Sequence, residues 1–273
     1  MTAFVLAAGG HTGDWVWRDV ARLLRESGAE AYPATLTGMG DRRHLAGPET
    51  DLATHIEDLV QIIDHIEAPA GPGSPRDVVL VGHCYGSHPV LGAADRRPER
   101  VSRIVYADAP LPGNGLSVHD LVRAEMAEEA VRERILGQAD RAEDGWRVPA
   151  PTREEWERLS NVHGVSPADV TRLARLAAPQ PLRTLTQPLR LTGAADGIPA
   201  SGIFCTVNGT TDIALVEKLV ASGAPRFRQL ADPRWTFFEL PTGHWPMLST
   251  PEALTRTLLR AAAGEGHRLA AQG

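Results

Sequence analysis

An apolar run that ends in a glycine-flanked motif constrains the fold of this chain more than any other feature. Val78-Val79-Leu80-Val81 is typical of a buried strand, and it leads directly into Gly82-His83-Cys84-Tyr85-Gly86. This pattern is that of a nucleophile elbow, a strained turn between a strand and a helix, with cysteine where serine is usual. The glycines two positions before and after Cys84 allow the strand and the helix to approach closely. We therefore predict that Cys84 projects its thiol above the end of a strand.

Two backbone N–H groups are predicted to face this thiol and to form an oxyanion hole. The N–H of Tyr85 opens the helix that follows the elbow, so it points at the same spot as the thiol. Gly9 and Gly10 follow the first predicted strand, and we expect the N–H of Gly10 to supply the second donor. Because this loop lacks the Gly-Lys-Ser/Thr ending of a P-loop, the sequence argues against nucleotide binding.

The second cysteine, Cys205, is predicted to have a structural role. It lies in the apolar run Gly202-Ile203-Phe204-Cys205-Thr206-Val207, which has no elbow around it. A buried thiol in a strand packs as a small hydrophobic group. Two cysteines do not make a disulfide framework, so we expect a reducing, cytoplasmic location in which Cys84 stays a free thiol.

His244 is the candidate general base. It lies in Pro241-Thr242-Gly243-His244, directly after the last predicted strand at residues 235–240. In chains with a nucleophile elbow the nucleophile, acid and base follow in that order, and His244 is the only one of ten histidines so placed. His83 and His88 have no cysteine or carboxylate at ligand spacing, so neither a metal nor a cofactor is predicted.

The order of predicted elements indicates an α/β fold. Apolar strands alternate with amphipathic helices, which is the rhythm of a parallel sheet covered on both faces. A linker rich in Pro and Gly at residues 68–75 precedes the elbow strand. The apolar run at the N-terminus is too short to span a membrane and is predicted as the first strand. The strands are predicted near residues 4–8, 34–36, 78–81, 103–108, 203–207 and 235–240.

Residues 112–199 break this alternation and are predicted to form a helical lid. Residues 116–136 and 153–176 have the pattern of charged amphipathic helices, and no strand is expected in the insertion. Loops that leave the carboxyl ends of parallel strands border the binding crevice, so the lid is expected to cover the elbow. The predicted organisation is a core of residues 1–111 and 200–273 with the lid inserted in it.

Several segments together resemble one superfamily. They are Phe4-Val5-Leu6-Ala7-Ala8-Gly9-Gly10-His11-Thr12-Gly13-Asp14-Trp15-Val16-Trp17, Thr35-Leu36-Thr37-Gly38-Met39-Gly40-Asp41-Arg42, Val105-Tyr106-Ala107-Asp108-Ala109-Pro110-Leu111-Pro112 and Leu240-Pro241-Thr242-Gly243-His244. On these segments and the elbow, the chain resembles the α/β-hydrolase superfamily. Within it, the chain is similar to the small-lid group of plant hydroxynitrile lyases, plant methylesterases and related bacterial esterases. The resemblance implies an α/β-hydrolase fold, with a mostly parallel sheet flanked by helices and a helical lid.

The chain departs from this group at three places. Cys84 replaces the serine, and Ala8 replaces the histidine that usually precedes the oxyanion-loop glycine. The place where many members carry the triad aspartate reads Thr206-Val207-Asn208-Gly209-Thr210-Thr211-Asp212. Three residues are therefore candidates for the acid. Asp108, at the end of the strand after the elbow helix, ranks narrowly first, whereas Asp212 requires its loop to fold back and Asn208 would orient the ring without a charge.

These residues predict an acyl-transfer hydrolase that acts on an ester or thioester through a covalent acyl-Cys84, with His244 and Asp108 completing a triad. A biosynthetic thioesterase or cyclase is the elaboration that a thiol nucleophile favours. The partner is predicted to be a small-molecule acyl substrate, free or attached to a carrier. One alternative is a lyase or a C–C bond-cleaving enzyme that uses His244 as a general base. The other is a binding protein that keeps the fold without catalysis.

Charge and the length of the apolar segments argue against two other classes of partner. The net charge is −6, with both signs scattered along the chain and no basic stripe, which disfavours nucleic acid. No apolar segment reaches the length of a membrane span, so a membrane partner is not expected either. The oligomeric state is left open by the sequence.

Overall fold

A parallel sheet of six strands lies at the centre of the computed structural model, which describes residues 2–67, 78–126 and 128–269. The sheet order is second, first, third, fourth, seventh and eighth strand along the chain, and the fifth and sixth strands form a separate antiparallel pair. The predicted linker at residues 68–75 lies outside the described residues. The strands are β1 (Ala3–Ala7), β2 (Glu30–Ala34), β3 (Val78–His83), β4 (Val101–Ala107), β5 (Arg147–Val148), β6 (Gln180–Pro181), β7 (Ala200–Cys205) and β8 (Trp235–Leu240).

Helices cover both faces of this sheet, as the alternating pattern predicts. They are α1 (Arg18–Glu26), α2 (Leu52–His65), α3 (Ser87–Arg96), α4 (Val118–Glu125), α5 (Glu129–Leu136), α6 (Arg153–Leu159), α7 (Pro167–Leu176), α8 (Arg183–Thr186), α9 (Ile213–Ala221), α10 (Pro246–Ser249) and α11 (Pro251–Ala262). Helices α2 and α3 pack on one face, and α1 and α11 pack on the other. None of the helices in the described ranges combines the length and the apolar character needed to cross a membrane.

Side chains alternate between the two faces of each strand and supply two hydrophobic cores. In β1, Val5 joins the core beneath α2 and α3, whereas Phe4 and Leu6 join the core beneath α1 and α11. In β3, Leu80 joins the core beneath α2 and α3, and Val81 joins the core beneath α1 and α11. All five of these side chains in β1 and β3 are fully buried. Because both faces are covered, these strands have continuous apolar sequences, and this is why they could be recognised from the sequence. The α/β fold predicted from the sequence is confirmed.

The second strand lies earlier in the chain than predicted. The sequence predicts a strand at residues 34–36, but β2 ends at Ala34 and contains Pro33. This strand is the edge of the sheet beside β1, where a proline without an N–H donor is tolerated. Leu36 instead opens a turn, in which its carbonyl accepts the N–H of Met39 at 3.0 Å.

The insertion between β4 and β7 is more broken than predicted. Each of the two predicted lid helices is two shorter helices, and the expectation that the insertion contains no strand is wrong, because β5 and β6 pair there. Strands of two residues are too short to produce a periodic pattern. Between α6 and α7, Asn161 and Gly164 have positive φ angles of 43° and 79°. Ser166 then caps α7 and Pro167 occupies its first turn, so one continuous helix is not possible here.

Candidate active site

The chain makes a sharp, strained turn at Cys84, between β3 and α3. Cys84 has a φ of 51°, in the left-handed region that side chains rarely adopt. A Cβ atom added to Gly82 would lie 2.7 Å from both the Gly86 carbonyl oxygen and the Ser87 Cα. A Cβ atom on Gly86 would lie 2.6 Å from the carbonyl oxygen of Ala7. Both positions therefore require glycine, which is the physical reason for the spacing seen in the sequence.

The thiol of Cys84 is half-buried and lies in a positively polarised environment. Burial opposes ionisation of this thiol, but the charge of His244, a hydrogen bond to the His244 ring and the N–H of Tyr85 outweigh it and lower the pKa of Cys84. Cys205 is a useful comparison, since it is 1% exposed in β7 and burial raises its pKa. The two cysteines thus lie in opposite environments.

His244 follows β8 and lies between the thiol and a carboxylate. Its Nδ1–H donates to the Oδ2 atom of Asp108 at 2.5 Å. Burial disfavours the charged ring, but the Cys84 thiolate and the Asp108 carboxylate outweigh burial and raise the pKa of His244. The opposite directions of the two shifts favour a thiolate beside an imidazolium.

Asp108 lies at the carboxyl end of β4, where its φ of 44° turns the side chain toward His244. Its second oxygen, Oδ1, accepts the backbone N–H of Cys205 at 3.0 Å. The N–H of Asp108 itself donates to the carbonyl oxygen of Ile203 at 2.8 Å. Asp108 thus follows β4 and is hydrogen-bonded through its backbone and its carboxylate to the neighbouring strand β7. These contacts place the carboxylate against the His244 ring.

The other two candidates for the acid have different partners. Asp212 is exposed and caps α9, where its Oδ1 atom accepts the N–H of Leu215 at 2.7 Å. Asn208 is exposed as well, and its carbonyl oxygen accepts a hydrogen bond from the Asn161 side chain at 3.2 Å. Of the three residues proposed from the sequence, the structure brings Asp108 to His244.

His83, the residue before Cys84, contacts the loop that carries His244. Its Nε2–H donates to the carbonyl oxygen of His244 at 2.7 Å, and the centres of the two rings are 4.6 Å apart. His83 is fully buried, and burial lowers its pKa well below the usual value, so the ring is neutral. The sequence pattern points to His83 only as a weak metal-ligand candidate, because a contact to a residue so distant in the chain leaves no local signal.

The loop that carries Gly9 and Gly10 lies directly over the elbow. A Cβ atom on Gly9 would lie 3.2 Å from the Cβ of Cys84 and 3.0 Å from the Nδ1 of His83. The N–H of Tyr85, the residue after Cys84, favours the thiolate and contributes to its lowered pKa. The two predicted oxyanion donors thus lie on segments that flank Cys84.

The structure also bears on cation binding. In residues 2–67, 78–126 and 128–269, no group of three or more His, Cys, Asp or Glu side chains is arranged to hold a metal ion. His88, which pairs with His83 in the sequence as a metal-ligand candidate, is fully buried with its Nδ1 atom 3.3 Å from the Ser87 hydroxyl.

Comparison with known proteins gives a consistent family. Residues 4–257 match the model of the alpha/beta hydrolase family. A carbendazim hydrolyzing esterase from Nocardioides sp. (strain SG-4G) is 32% identical over 263 residues, which cover 94% of this chain and 98% of that protein. Pheophorbidase from Raphanus sativus is 27% identical over 263 residues, which cover 94% of this chain and 93% of that protein.

Solved structures agree on the fold. An extracellular alpha/beta-hydrolase from a Paenibacillus species superposes with a TM-score of 0.74 at 20% identity, covering 96% of this chain and 99% of that one. A variant of tomato methylketone synthase I complexed with beta-ketoheptanoate gives a TM-score of 0.73 at 21% identity, covering 96% and 98% of the two chains. At these identities the likeness concerns the fold alone. The family model matches this chain over almost the whole length of the chain, and an esterase is among its relatives. This chain therefore belongs to the alpha/beta hydrolase family.

Proposed function

We propose that this chain is an acyl-transfer hydrolase that acts on a small ester or thioester through a covalent acyl-Cys84 intermediate. The observation that carries the proposal is the arrangement at the carboxyl edge of the parallel sheet, where His244 is hydrogen-bonded to Asp108 and its charge lowers the pKa of the Cys84 thiol. This is the arrangement of a nucleophile, a base and the group that orients the base. The names of the relatives, a carbendazim hydrolyzing esterase among them, support ester substrates.

In the first step, the Cys84 thiolate attacks the carbonyl carbon of the substrate. The carbonyl oxygen becomes an oxyanion, and the N–H groups of Gly10 and Tyr85 stabilise it. As the tetrahedral intermediate collapses, the Nε2–H of the His244 imidazolium protonates the departing alcohol or thiol. The products of this step are the free leaving group, a neutral His244 and an acyl thioester on Cys84.

In the second step, His244 acts as the base. Its neutral Nε2 takes a proton from water, an amine or a hydroxyl group, which attacks the thioester carbonyl. The oxyanion forms in the same hole, and the Cys84 thiolate leaves as the acyl product is released. Asp108 accepts the Nδ1–H of His244 in both steps and stabilises the imidazolium of the resting enzyme.

The choice of cysteine favours a particular use of this chemistry. A thiolate paired with an imidazolium is ionised before substrate arrives, and the acyl thioester that it forms is more reactive toward amines and thiols than an ester is. We therefore propose transfer or ring closure in biosynthesis, on an acyl group that is free or attached to a carrier, beside simple hydrolysis. A reducing compartment such as the cytoplasm would keep this thiol active.

The ionisation of Cys84 can be measured by its alkylation with iodoacetamide over a range of pH. Because His244 lowers the pKa of this thiol, we expect rapid alkylation below the usual thiol pKa of about 8.5. In His244→Ala the charge of the ring is lost, while burial and the N–H of Tyr85 remain, so the midpoint of the alkylation profile should move to higher pH. Peptide mapping should find the label on Cys84 and not on Cys205. An unchanged midpoint in His244→Ala, or faster labelling of Cys205, would contradict this assignment.

The role of Asp108 can be tested against that of Asp212 by the same substitution. Asp108→Asn should lower kcat by ~10²–10⁴, because an amide cannot stabilise the imidazolium and leaves the ring in the wrong tautomer. Asp212→Asn is the matched control and should be nearly silent, since asparagine caps a helix as well as aspartate does. A larger loss in Asp212→Asn would move the acid to the later loop.

Two substitutions of the nucleophile test the proposed function itself. Cys84→Ala should abolish turnover of small esters and thioesters. Cys84→Ser should keep part of the hydrolysis of activated esters but transfer acyl groups to amines or thiols less readily, because a hydroxyl depends wholly on His244 for its activation. Steady-state rates with water and with an added amine acceptor measure both effects.

Full activity of Cys84→Ala on the natural reaction would reject the covalent mechanism. It would favour a lyase that uses His244 as a general base. No turnover of esters or thioesters by the wild-type protein, together with unaltered ligand binding in Cys84→Ala, would instead indicate a binding protein.

A further inference from the structure

The end of the lid insertion is hydrogen-bonded to the loop that contains Gly10. His11, the next residue, is buried and has a positive φ of 64°. Its carbonyl oxygen accepts the N–H of Ala178 at 2.8 Å, and its Nδ1–H donates to the carbonyl oxygen of Ala178 at 3.0 Å. Burial lowers the pKa of His11 to about 4, so the ring is neutral and keeps this donor. The two hydrogen bonds with Ala178 therefore hold the backbone next to Gly10 in a strained conformation.

Gln180, in β6, makes the closest approach to Gly10. Its side chain is 1% exposed, and its Oε1 atom accepts the backbone N–H of His11 at 3.2 Å. A Cβ atom on Gly10 would lie 2.7 Å from the same oxygen. The other end of the amide, Nε2–H, donates to the Thr184 hydroxyl at 3.0 Å. Both ends of the Gln180 amide thus have partners, which fixes its orientation.

The Thr184 hydroxyl in turn donates to the carbonyl oxygen of Pro181 at 2.7 Å, so its own proton is used within the lid insertion. Tyr85, which supplies the second predicted donor, is buried and has partners of its own. The phenol O–H donates to Nδ1 of His55 at 2.7 Å, and the Nε2–H of His55 donates to the carbonyl oxygen of Thr37 at 2.7 Å. A carbonyl oxygen can only accept, so the proton of His55 lies on Nε2 and Nδ1 is free to accept. Tyr85 is consequently anchored at its far end as well as at its backbone.

We propose that Gln180 is a positioning residue that holds the Gly10 side of the oxyanion hole, and that Thr184 fixes the orientation of the Gln180 amide. The two N–H donors are supplied by separate segments, and the Gln180–Thr184 pair is the buried polar contact that fixes the segment of Gly10. This inference rests on the proposed function, since it assigns these residues to the stabilisation of the oxyanion in that reaction.

The physical consequence is specific to one class of reaction at Cys84. Acylation builds negative charge on a carbonyl oxygen, so its rate depends on the position of both N–H donors, and errors of about 1 Å cost up to ~10²-fold. Alkylation by iodoacetamide displaces iodide at a saturated carbon and forms no oxyanion. Loss of Gln180 should therefore slow acylation and leave alkylation unchanged.

The experiment compares these two reactions in Gln180→Met, which preserves side-chain length and removes both hydrogen bonds. Acylation is followed as the release of p-nitrophenolate from p-nitrophenyl acetate in a single turnover. We expect the acylation rate constant to fall by about 10- to 100-fold, while the second-order rate constant for iodoacetamide at the same pH stays within about twofold of wild type. A defect in folding or in thiol ionisation would slow both reactions together.

Gln187→Met is the matched control, because Gln187 also ties the lid insertion to the core through both ends of its amide. Its Oε1 atom accepts the N–H of Ala53 at 2.9 Å, and its Nε2–H donates to Asp51 at 2.8 Å, at the start of α2 and away from Gly10. We expect both rate constants of Gln187→Met to match wild type. Thr184→Val, which removes the partner of Gln180 but keeps its shape, should lower acylation in the same selective way, and Thr184→Ser should restore it.

Three outcomes would overturn the inference. Equal acylation rates in Gln180→Met and wild type would show that Gln180 does not position the donor. A parallel loss of both reactions in Gln180→Met and Thr184→Val would assign the pair to general stability. A wild-type protein that reacts with iodoacetamide but releases no p-nitrophenolate would reject the proposed function and this inference with it, which distinguishes that failure from the first.

Discussion

The close backbone approach at Gly82 and Gly86 is the constraint on which the site depends. Each glycine leaves room for a neighbouring backbone less than 3 Å from where its Cβ would be. This contact forces Cys84 into the left-handed region and turns its thiol out of the sheet, above the carboxyl edge. The same edge receives Asp108 from β4 and His244 from the loop after β8, since the carboxyl ends of parallel strands lie together. Sheet topology therefore assembles the three groups.

Electrostatics then decides the state of those groups. A half-buried thiol and a half-buried imidazole would each be neutral if they were alone, because burial penalises charge. Placed together, and beside Asp108, they favour the charged pair, as the opposite pKa shifts of Cys84 and His244 indicate. His83 contributes by holding the His244 carbonyl while it remains neutral itself. The result is a thiol whose ionisation does not depend on the binding of a substrate.

The sequence was informative where function imposes a local pattern and uninformative where it does not. The elbow glycines, the cysteine and the histidine after the last strand each have a signature within a few residues, so the fold could be predicted and the structure confirms it. The contacts of His83 and Gln180 could not be predicted, because they are long-range; Gln180 lies 169 residues from His11. The break between α6 and α7 follows from Gly164, the Ser166 cap and Pro167, which are local signals that a pattern of apolar periodicity does not contain.

Intact-protein mass spectrometry after brief mixing with an activated acyl ester tests the acyl-Cys84 proposal most directly. The account predicts a mass increase of one acyl group, which peptide mapping locates on Cys84, which hydroxylamine removes, and which Cys84→Ala lacks. His244→Ala should form the acyl-enzyme more slowly, because the thiol is less ionised and protonation of the leaving group is lost. Turnover of the ester without any acyl group on Cys84 at any time point, or the same acyl group in Cys84→Ala, would contradict the account.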